Sequence, residues 1–227
     1  MIPLHDDQPT TIFPAVNVAL IVLCSIIFLW QLSLTPQEQT AVLFGFGMIP
    51  AVLFNHVSLA PKIDFIPAPL TVITSQFLHG GWMHIIGNML YLWIFGNNVE
   101  DAMGHWRYVP FYLLCGVAAA LTQALLAPAS QLPMIGASGA ISGVLGAYLL
   151  LHPRARILVA IPLGILIPTM RLPAVAVLGF WFVLQLISSL LTSPEHGGVA
   201  WGAHVGGFVV GMLLIPIFKH RRVPLFH

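Results

Sequence analysis

The chain has 227 residues, of which 58% are hydrophobic and only 7% are charged, and its formal net charge is +1. Soluble domains carry about 25% charged residues, so this composition excludes an ordinary water-soluble protein and favours a surface that faces lipid. The small net charge offers no attraction for nucleic acid. Cys24 and Cys115 lie in apolar segments, and we expect them to pack as small apolar residues rather than form a disulfide.

Six apolar segments are predicted to cross the membrane, since a spanning helix needs roughly 20 apolar residues. In chain order the predicted spans cover residues 13–34, 83–103, 108–127, 138–151, 173–191 and 200–218. The predicted fold class is all-α, a polytopic bundle of six transmembrane helices at 13–218, with an N-terminal tail at 1–12 and a C-terminal tail at 219–227. The fourth span is short, which would place Ser138 below the outer surface.

The basic residues predict the orientation of these spans. If both termini lie in the cytosol, most of the eight Lys and Arg residues fall on the cytosolic side, as the positive-inside rule requires. Those residues are Arg107, Arg154, Arg156, Arg171, Lys219, Arg221 and Arg222, and Lys62 alone falls outside. A seventh span at 155–170 would carry the last three basic residues outside, so we expect this segment to be an interfacial or partly buried connection.

The segment before residue 14 contains no Lys or Arg. A signal peptide needs a basic start, so we expect the first span to remain as an anchor. With no targeting segment expected, this compact layout predicts a multi-pass protein of a bacterial inner membrane, with both tails in the cytosol.

The first outer loop, at 35–82, is long and contains several prolines and apolar stretches. Loops of this length are often functional. We expect a structured insertion that dips into the membrane, and the alternative is a surface cap with no role beyond packing.

Polar side chains lie at similar depth in three of the predicted spans. Ser138 opens the fourth span, His204 lies about four residues into the sixth, and His84 and Asn88 lie near the outer end of the second. Polar groups inside a membrane are costly, so they are candidates for a functional site. His84 and Asn88 are four residues apart and therefore share one helix face.

Small residues surround the serine and the histidine. Gly136 and Gly139 flank Ser138, and Gly206 and Gly207 follow His204. Small residues allow close helix contact, which a serine and an imidazole need in order to share a proton. The alternatives are a serine bonded to its own backbone, glycines that serve packing only, and a structural His84–Asn88 contact.

The sequence lacks the residues that other classes of membrane protease require. The spans contain no pair of aspartates and no H-E-x-x-H motif, so an aspartyl or zinc protease is not expected. We expect no metal and no cofactor. Because no carboxylate lies near His204 in the predicted topology, a hydrolase here would use a Ser–His dyad.

These motifs together resemble the rhomboid family of intramembrane serine proteases, over about residues 70–215. The resemblance rests on GASG at 136–139 and AHVGG at 203–207. It includes HIIGN at 84–88, preceded by FLH at 77–79, and Glu100 followed by GHWRY at 104–108. The serine and histidine motifs, in this order and topology, are specific for the family, whereas each motif alone would be weak evidence for it.

The resemblance implies a role for each of these residues. Ser138 would be the nucleophile and His204 the general base, with Gly136 and Gly139 supporting them. The Ser138 backbone N–H, His84 and Asn88 would form the oxyanion hole.

The resemblance also implies supporting parts outside the core site. Trp181 and Phe182 would lie on a lateral gate, or would simply pack. His79 would support the loop, and Glu100 and Arg107 would belong to a structural ion-pair region that supports folding rather than catalysis.

The implied function is an intramembrane serine endopeptidase that cuts transmembrane segments of other proteins near the outer side of the bilayer. Its partners would be transmembrane protein substrates and the lipid bilayer. Two alternatives remain: an inactive rhomboid-like protein that binds membrane proteins, and a small transporter whose pore is lined by the same polar residues.

Overall fold

The computed structural model describes residues 1–162, 164, 166–192 and 198–226. The helices are α1 (Ala15–Ser33), α2 (Pro36–Phe46), α3 (Pro50–Leu53), α4 (Ala68–Thr74), a 3₁₀ turn at Ser75–Phe77, α5 (Trp82–Met103), α6 (His105–Leu126), α7 (Ser138–Leu151), α8 (Ala174–Leu191) and α9 (Trp201–Phe218). Three strands accompany them, β1 (Ile2–Asp6), β2 (Arg156–Ala160) and β3 (Thr169–Pro173).

The protein is mostly helical and is a multi-pass integral membrane protein. Among the described residues, four helices are long and apolar enough to cross a membrane, namely α1, α6, α8 and α9. α7 is apolar but has only 14 residues, and α5 has 22 residues with polar side chains in its last turns. That α5 and α7 complete a set of six spans stays a prediction.

The all-α prediction is wrong in one respect, because β1, β2 and β3 form a small antiparallel sheet. Ile2 lies opposite Ala160, and Arg156 lies opposite Pro173. The predicted N-terminal tail therefore contributes a strand, and the segment predicted as an interfacial connection contributes most of a hairpin. In β2, the buried side chains of Ile157 and Val159 alternate with more exposed ones, which is the period of a strand.

A hydrogen bond ties the first strand to the helix bundle. The Tyr148 hydroxyl donates to the Asp6 carboxylate at 2.6 Å. Burial raises the pKa of Asp6, and the hydrogen bond from Tyr148 acts in the opposite direction. The start of the chain is thus anchored against α7 rather than free in solution.

The start of α1 is held by a carboxylate from α5. Glu100 is fully buried, and its two oxygens accept the N–H groups of Val16 and Asn17 at 3.0 and 2.7 Å. A negative charge stabilises a helix N-terminus, where N–H groups lack partners within the helix. His105 completes the pair at 2.5 Å, whereas Arg107 donates to the carbonyls of Phe218 and Lys219. In the expected ion-pair region, Glu100 therefore pairs with His105, and Arg107 bonds to the end of α9.

We expect Glu100→Ala to lower the free energy of unfolding by about 2–3 kcal/mol, because it leaves buried N–H groups unpaired. The measurement is the thermal unfolding midpoint in detergent. Asp101→Ala is the matched control, since the Asp101 carboxylate accepts from Thr11 and Ile12 in a more exposed setting. This control should lower the free energy of unfolding by about 1 kcal/mol. Equal midpoints for the two variants would contradict this role of Glu100.

α7 lies at the centre of the bundle and is in close contact with α9. A side-chain carbon added at Gly207 would lie 2.1 Å from the Gly139 carbonyl oxygen, and one at Gly211 would lie 2.0 Å from that of Gly143. These distances are far below van der Waals contact, so only glycine allows the two backbones to approach this closely. The glycines set the spacing between the helix that carries Ser138 and the helix that carries His204.

We therefore expect Gly207→Ala to destabilise the protein by roughly 2–3 kcal/mol, because the added methyl group must push two backbones apart. Gly179→Ala is the matched control, since no atom lies within 4 Å of a carbon added at that position on α8. Thermal unfolding of both variants checks the prediction. A Gly207→Ala midpoint equal to the control would show that the helices can separate freely.

The long loop at 35–82 folds into short helices instead of an extended chain. Thr35 begins α2 with a reciprocal cap, in which its side chain and that of Glu38 each accept a backbone N–H. Met48 pairs with Met134 through two backbone hydrogen bonds. The loop thus holds the segment that leads to Ser138, and its insertion into the membrane stays a prediction.

Candidate active site

Ser138 begins α7 two residues after a glycine with an unusual backbone conformation. Gly136 has a φ of +117°, which L side chains rarely adopt, and its N–H donates to the Ser75 carbonyl at 2.8 Å. A side-chain carbon at Gly136 would lie 2.5 Å from His84 Nε2. Glycine is therefore required both for the turn into α7 and for the approach of the His84 ring.

The imidazole of His204 joins two side chains from different helices. Its Nε2 lies 2.8 Å from Ser138 Oγ, and its Nδ1 lies 2.7 Å from Gln185 Oε1. An amide oxygen can only accept, so Nδ1 carries the proton and Nε2 presents its lone pair to the serine hydroxyl. This arrangement allows the serine proton to move to His204.

His84 and Asn88 lie one turn apart on α5 and face the same cavity as the serine. His84 Nδ1 accepts the Gly80 N–H at 3.4 Å, which favours a proton on Nε2, the atom beside Gly136. Asn88 is buried, and its Nδ2 has no hydrogen-bond partner among the residues that the structure describes. Two N–H donors are therefore available in the cavity.

The cavity has a volume of about 630 Å³ and lies between α5, α6, α7, α8 and α9. Ser138, His204, His84 and Asn88 all line it, as do Gly136 and Gly139. The structure thus brings together all the residues that the sequence analysis assigned to the core site, although their catalytic roles stay a prediction.

His79 lies next to this site without lining the cavity. Its backbone N–H and carbonyl bond to the Gln31 side chain at 3.1 and 3.2 Å, and its ring meets that of His84 edge-on at 5.1 Å between centroids. His79 therefore supports the His84 ring from the loop before α5.

The candidate gate residues lie on α8 and pack against α9. The Trp181 ring lies 6.0 Å from the His204 ring, and the Phe182 ring stacks on Phe208 at 4.6 Å. Both side chains are half-buried. Trp181 lines the cavity on the side of α8, whereas Phe182 packs behind it against Phe208.

The sequence analysis missed the glutamines of the site. Gln185 bonds to His204, and Gln123 Oε1 accepts the Ala203 N–H at 3.3 Å. A lone amide in an apolar helix is itself a signal, because buried polar groups need partners. The expectation of a dyad rests on the lack of a nearby carboxylate, whereas the partner of His204 Nδ1 is an amide.

A metal would need a cluster of ligands that the described residues do not form. No group of three or more His, Cys, Asp or Glu side chains within them could hold a metal ion.

Comparison with known proteins gives a consistent picture. Residues 68–221 match the rhomboid domain family. The chain is 28% identical over 180 residues to "Rhomboid protein 1, mitochondrial" of Saccharomyces cerevisiae, covering 75% of this chain and 48% of that protein. It is 32% identical over 145 residues to "Rhomboid protease GluP" of Bacillus subtilis, covering 63% and 25%.

A third relative is "Rhomboid-like protein 11, chloroplastic" of Arabidopsis thaliana, at 26% identity over 66% of this chain and 52% of that protein. The chain spans about half the length, or less, of these three relatives. They include mitochondrial, chloroplast and bacterial proteins. Because the family match covers more than half of the chain and includes every residue of the core site, the protein belongs to the rhomboid family.

Proposed function

We propose that this protein is an intramembrane serine endopeptidase with a Ser138–His204 dyad. The observation that carries the proposal is the 2.8 Å separation of His204 Nε2 and Ser138 Oγ inside a membrane protein. That distance lies within the range for proton transfer between a nucleophile and its base.

The reaction begins when His204 Nε2 takes the serine proton and Ser138 Oγ attacks the carbonyl carbon of a peptide bond. The carbonyl oxygen becomes an oxyanion, and the protonated His204 then gives its proton to the leaving amine as the C–N bond breaks. The acyl group stays on Ser138 as an ester. A water molecule, deprotonated by His204, hydrolyses that ester and restores both side chains.

We assign three donors to the oxyanion hole, namely the Ser138 backbone N–H, His84 Nε2 and Asn88 Nδ2. The Ser138 N–H lies at the first turn of α7, where backbone N–H groups lack partners within the helix. Within the described residues the buried Asn88 Nδ2 has no hydrogen-bond partner, so it remains free to donate to an oxyanion that develops in the cavity, which supports this role.

The substrate class follows from the location of the site. We assign residues 13–218 to a six-span membrane domain with the tails in the cytosol, which places Ser138 near the outer side of the bilayer. A transmembrane segment would enter beside α8, past Trp181 and Phe182. Its peptide bond must leave its helix before attack, so segments rich in small, helix-destabilising residues should be cut best. A bacterial inner membrane is the proposed location.

The alternatives explain less of the site. An inactive binding protein needs no paired serine and histidine, and a transporter pore would separate α7 and α9 instead of joining them through glycines. The 2.8 Å contact therefore favours the protease.

The purified full chain in liposomes tests this function. Two single-span substrates differ only in the outer half of the span, which is rich in Gly and Ala in one and all Leu in the other. We expect a cut within the Gly- and Ala-rich half, mapped by mass spectrometry. A cut only in parts of the substrate outside the membrane, or equal cutting of both spans, would contradict the proposed substrate class.

A further inference from the structure

The structure assigns a positioning role to Gln185, and this inference rests on the proposed function. We propose that Gln185 holds His204 in the one tautomer that can deprotonate Ser138. The Gln185 amide is buried on α8, and its Oε1 lies 2.7 Å from His204 Nδ1. The dyad would then have a third, uncharged member.

The tautomer matters because a neutral imidazole carries its proton on either nitrogen. With the proton on Nε2, the ring would point a donor at Ser138 and could not accept its proton. The Gln185 oxygen accepts only, so it stabilises the form with Nδ1–H. The Nδ1–H bond to the amide also strengthens when His204 becomes positively charged, because a hydrogen bond from a charged donor is stronger than one between neutral groups.

An amide suits this site better than a carboxylate would. The titratable residues that line the cavity are His84 and Tyr91 on α5 together with His204, whereas the described linings from α6, α7 and α8 are uncharged. A carboxylate here would be an unpaired buried charge until His204 became protonated, which is costly. Gln185 orients the imidazole without that cost.

The same bond links the base to the helix that carries the candidate gate. Gln185 lies one turn after Trp181, whose ring centroid lies 6.0 Å from that of the His204 ring. The distance between Gln185 Oε1 and His204 Nδ1 is 2.7 Å. If α8 moved outward by more than about 1 Å, this distance would exceed hydrogen-bond range. The position of α8 therefore determines whether His204 keeps its partner.

Kinetics on the full chain test the role first. We expect Gln185→Leu to lower kcat by about 10- to 100-fold with little change in KM, because the base spends less time in the reactive tautomer. Leu184→Ala is the control, since that neighbouring side chain is exposed on α8 and does not line the cavity. A kcat for Gln185→Leu equal to the control would overturn the proposal.

The pH dependence of kcat is a second measurement, and it would not change if Gln185 had only a structural role. A carboxylate beside Nδ1 favours the protonated imidazole, and only the neutral imidazole accepts the serine proton. Gln185→Glu should therefore move the acid limb of the kcat profile to higher pH by about one unit or more. An acid limb in the same place as in the wild type would overturn the proposal.

Nitrogen NMR of the resting protein separates this inference from the proposed function. With ¹⁵N-labelled histidine, the His204 signals, assigned by their loss in His204→Ala, should show a proton on Nδ1 in the wild type and a mixture in Gln185→Leu. This measurement needs no substrate, so a protein without proteolysis would still report the tautomer. The same tautomer in both proteins would remove Gln185 from this role.

Discussion

Ser138→Ala should lose cleavage of a transmembrane substrate by about 10⁴-fold or more. The variant has no hydroxyl to form the acyl ester, and the methyl group leaves the bond between His204 and Gln185 in place. The loss should fall on kcat, because the serine acts on the reacting bond and not on the rest of the substrate. Initial rates on a Gly- and Ala-rich span in liposomes measure it.

Ser25→Ala is the matched control for that loss. Ser25 is a serine on α1, and its hydroxyl donates to the Ile21 carbonyl of the same helix at 2.8 Å. This control should cut at the wild-type rate, and both variants should unfold near the wild-type midpoint. Cleavage by Ser138→Ala within tenfold of the control would mean that another group is the nucleophile.

Asn88→Ala should lower kcat by about 10²- to 10³-fold with KM nearly unchanged. The Asn88 amide has no partner in the resting protein within the described residues, so its hydrogen bond forms only when the oxyanion develops. An interaction made only in the transition state affects kcat rather than binding.

The control for this prediction is Asn97→Ala, on the same helix but away from the cavity. The Asn97 side chain accepts the N–H of its neighbour Asn98 at 2.8 Å, and its removal should leave kcat within a few-fold of wild type. A larger effect on KM than on kcat in Asn88→Ala would assign Asn88 to substrate binding instead of the oxyanion hole.

Hydropathy predicted the positions of the membrane helices well. α7 begins and ends at the predicted residues, and α8 and α9 begin one residue after the predicted starts. Long apolar segments have little choice of structure in lipid, because the backbone must satisfy its own hydrogen bonds there. The same counting predicted that Ser138, His204, His84 and Asn88 lie close together, and all four line one cavity.

The sheet and the side-chain partners could not be predicted in this way. β1 has a proline and two polar residues, and it becomes a strand because β2 offers an edge to pair with. Glu100 meets the start of α1 because the fold brings together groups that are more than 80 residues apart in the sequence. Gln185 meets His204 through the packing of α8 on α9, which the spacing in the sequence does not specify.

Covalent labelling tests the central claim, that Ser138 is a nucleophile activated by His204 within the membrane. A fluorophosphonate should add once to the purified protein, as Ser138 Oγ bonds to phosphorus and fluoride leaves, and peptide mass spectrometry should place the adduct on Ser138. We expect His204→Ala to label far more slowly and Ser138→Ala not at all. An adduct on another residue, or equal labelling of Ser138→Ala, would contradict the assignment.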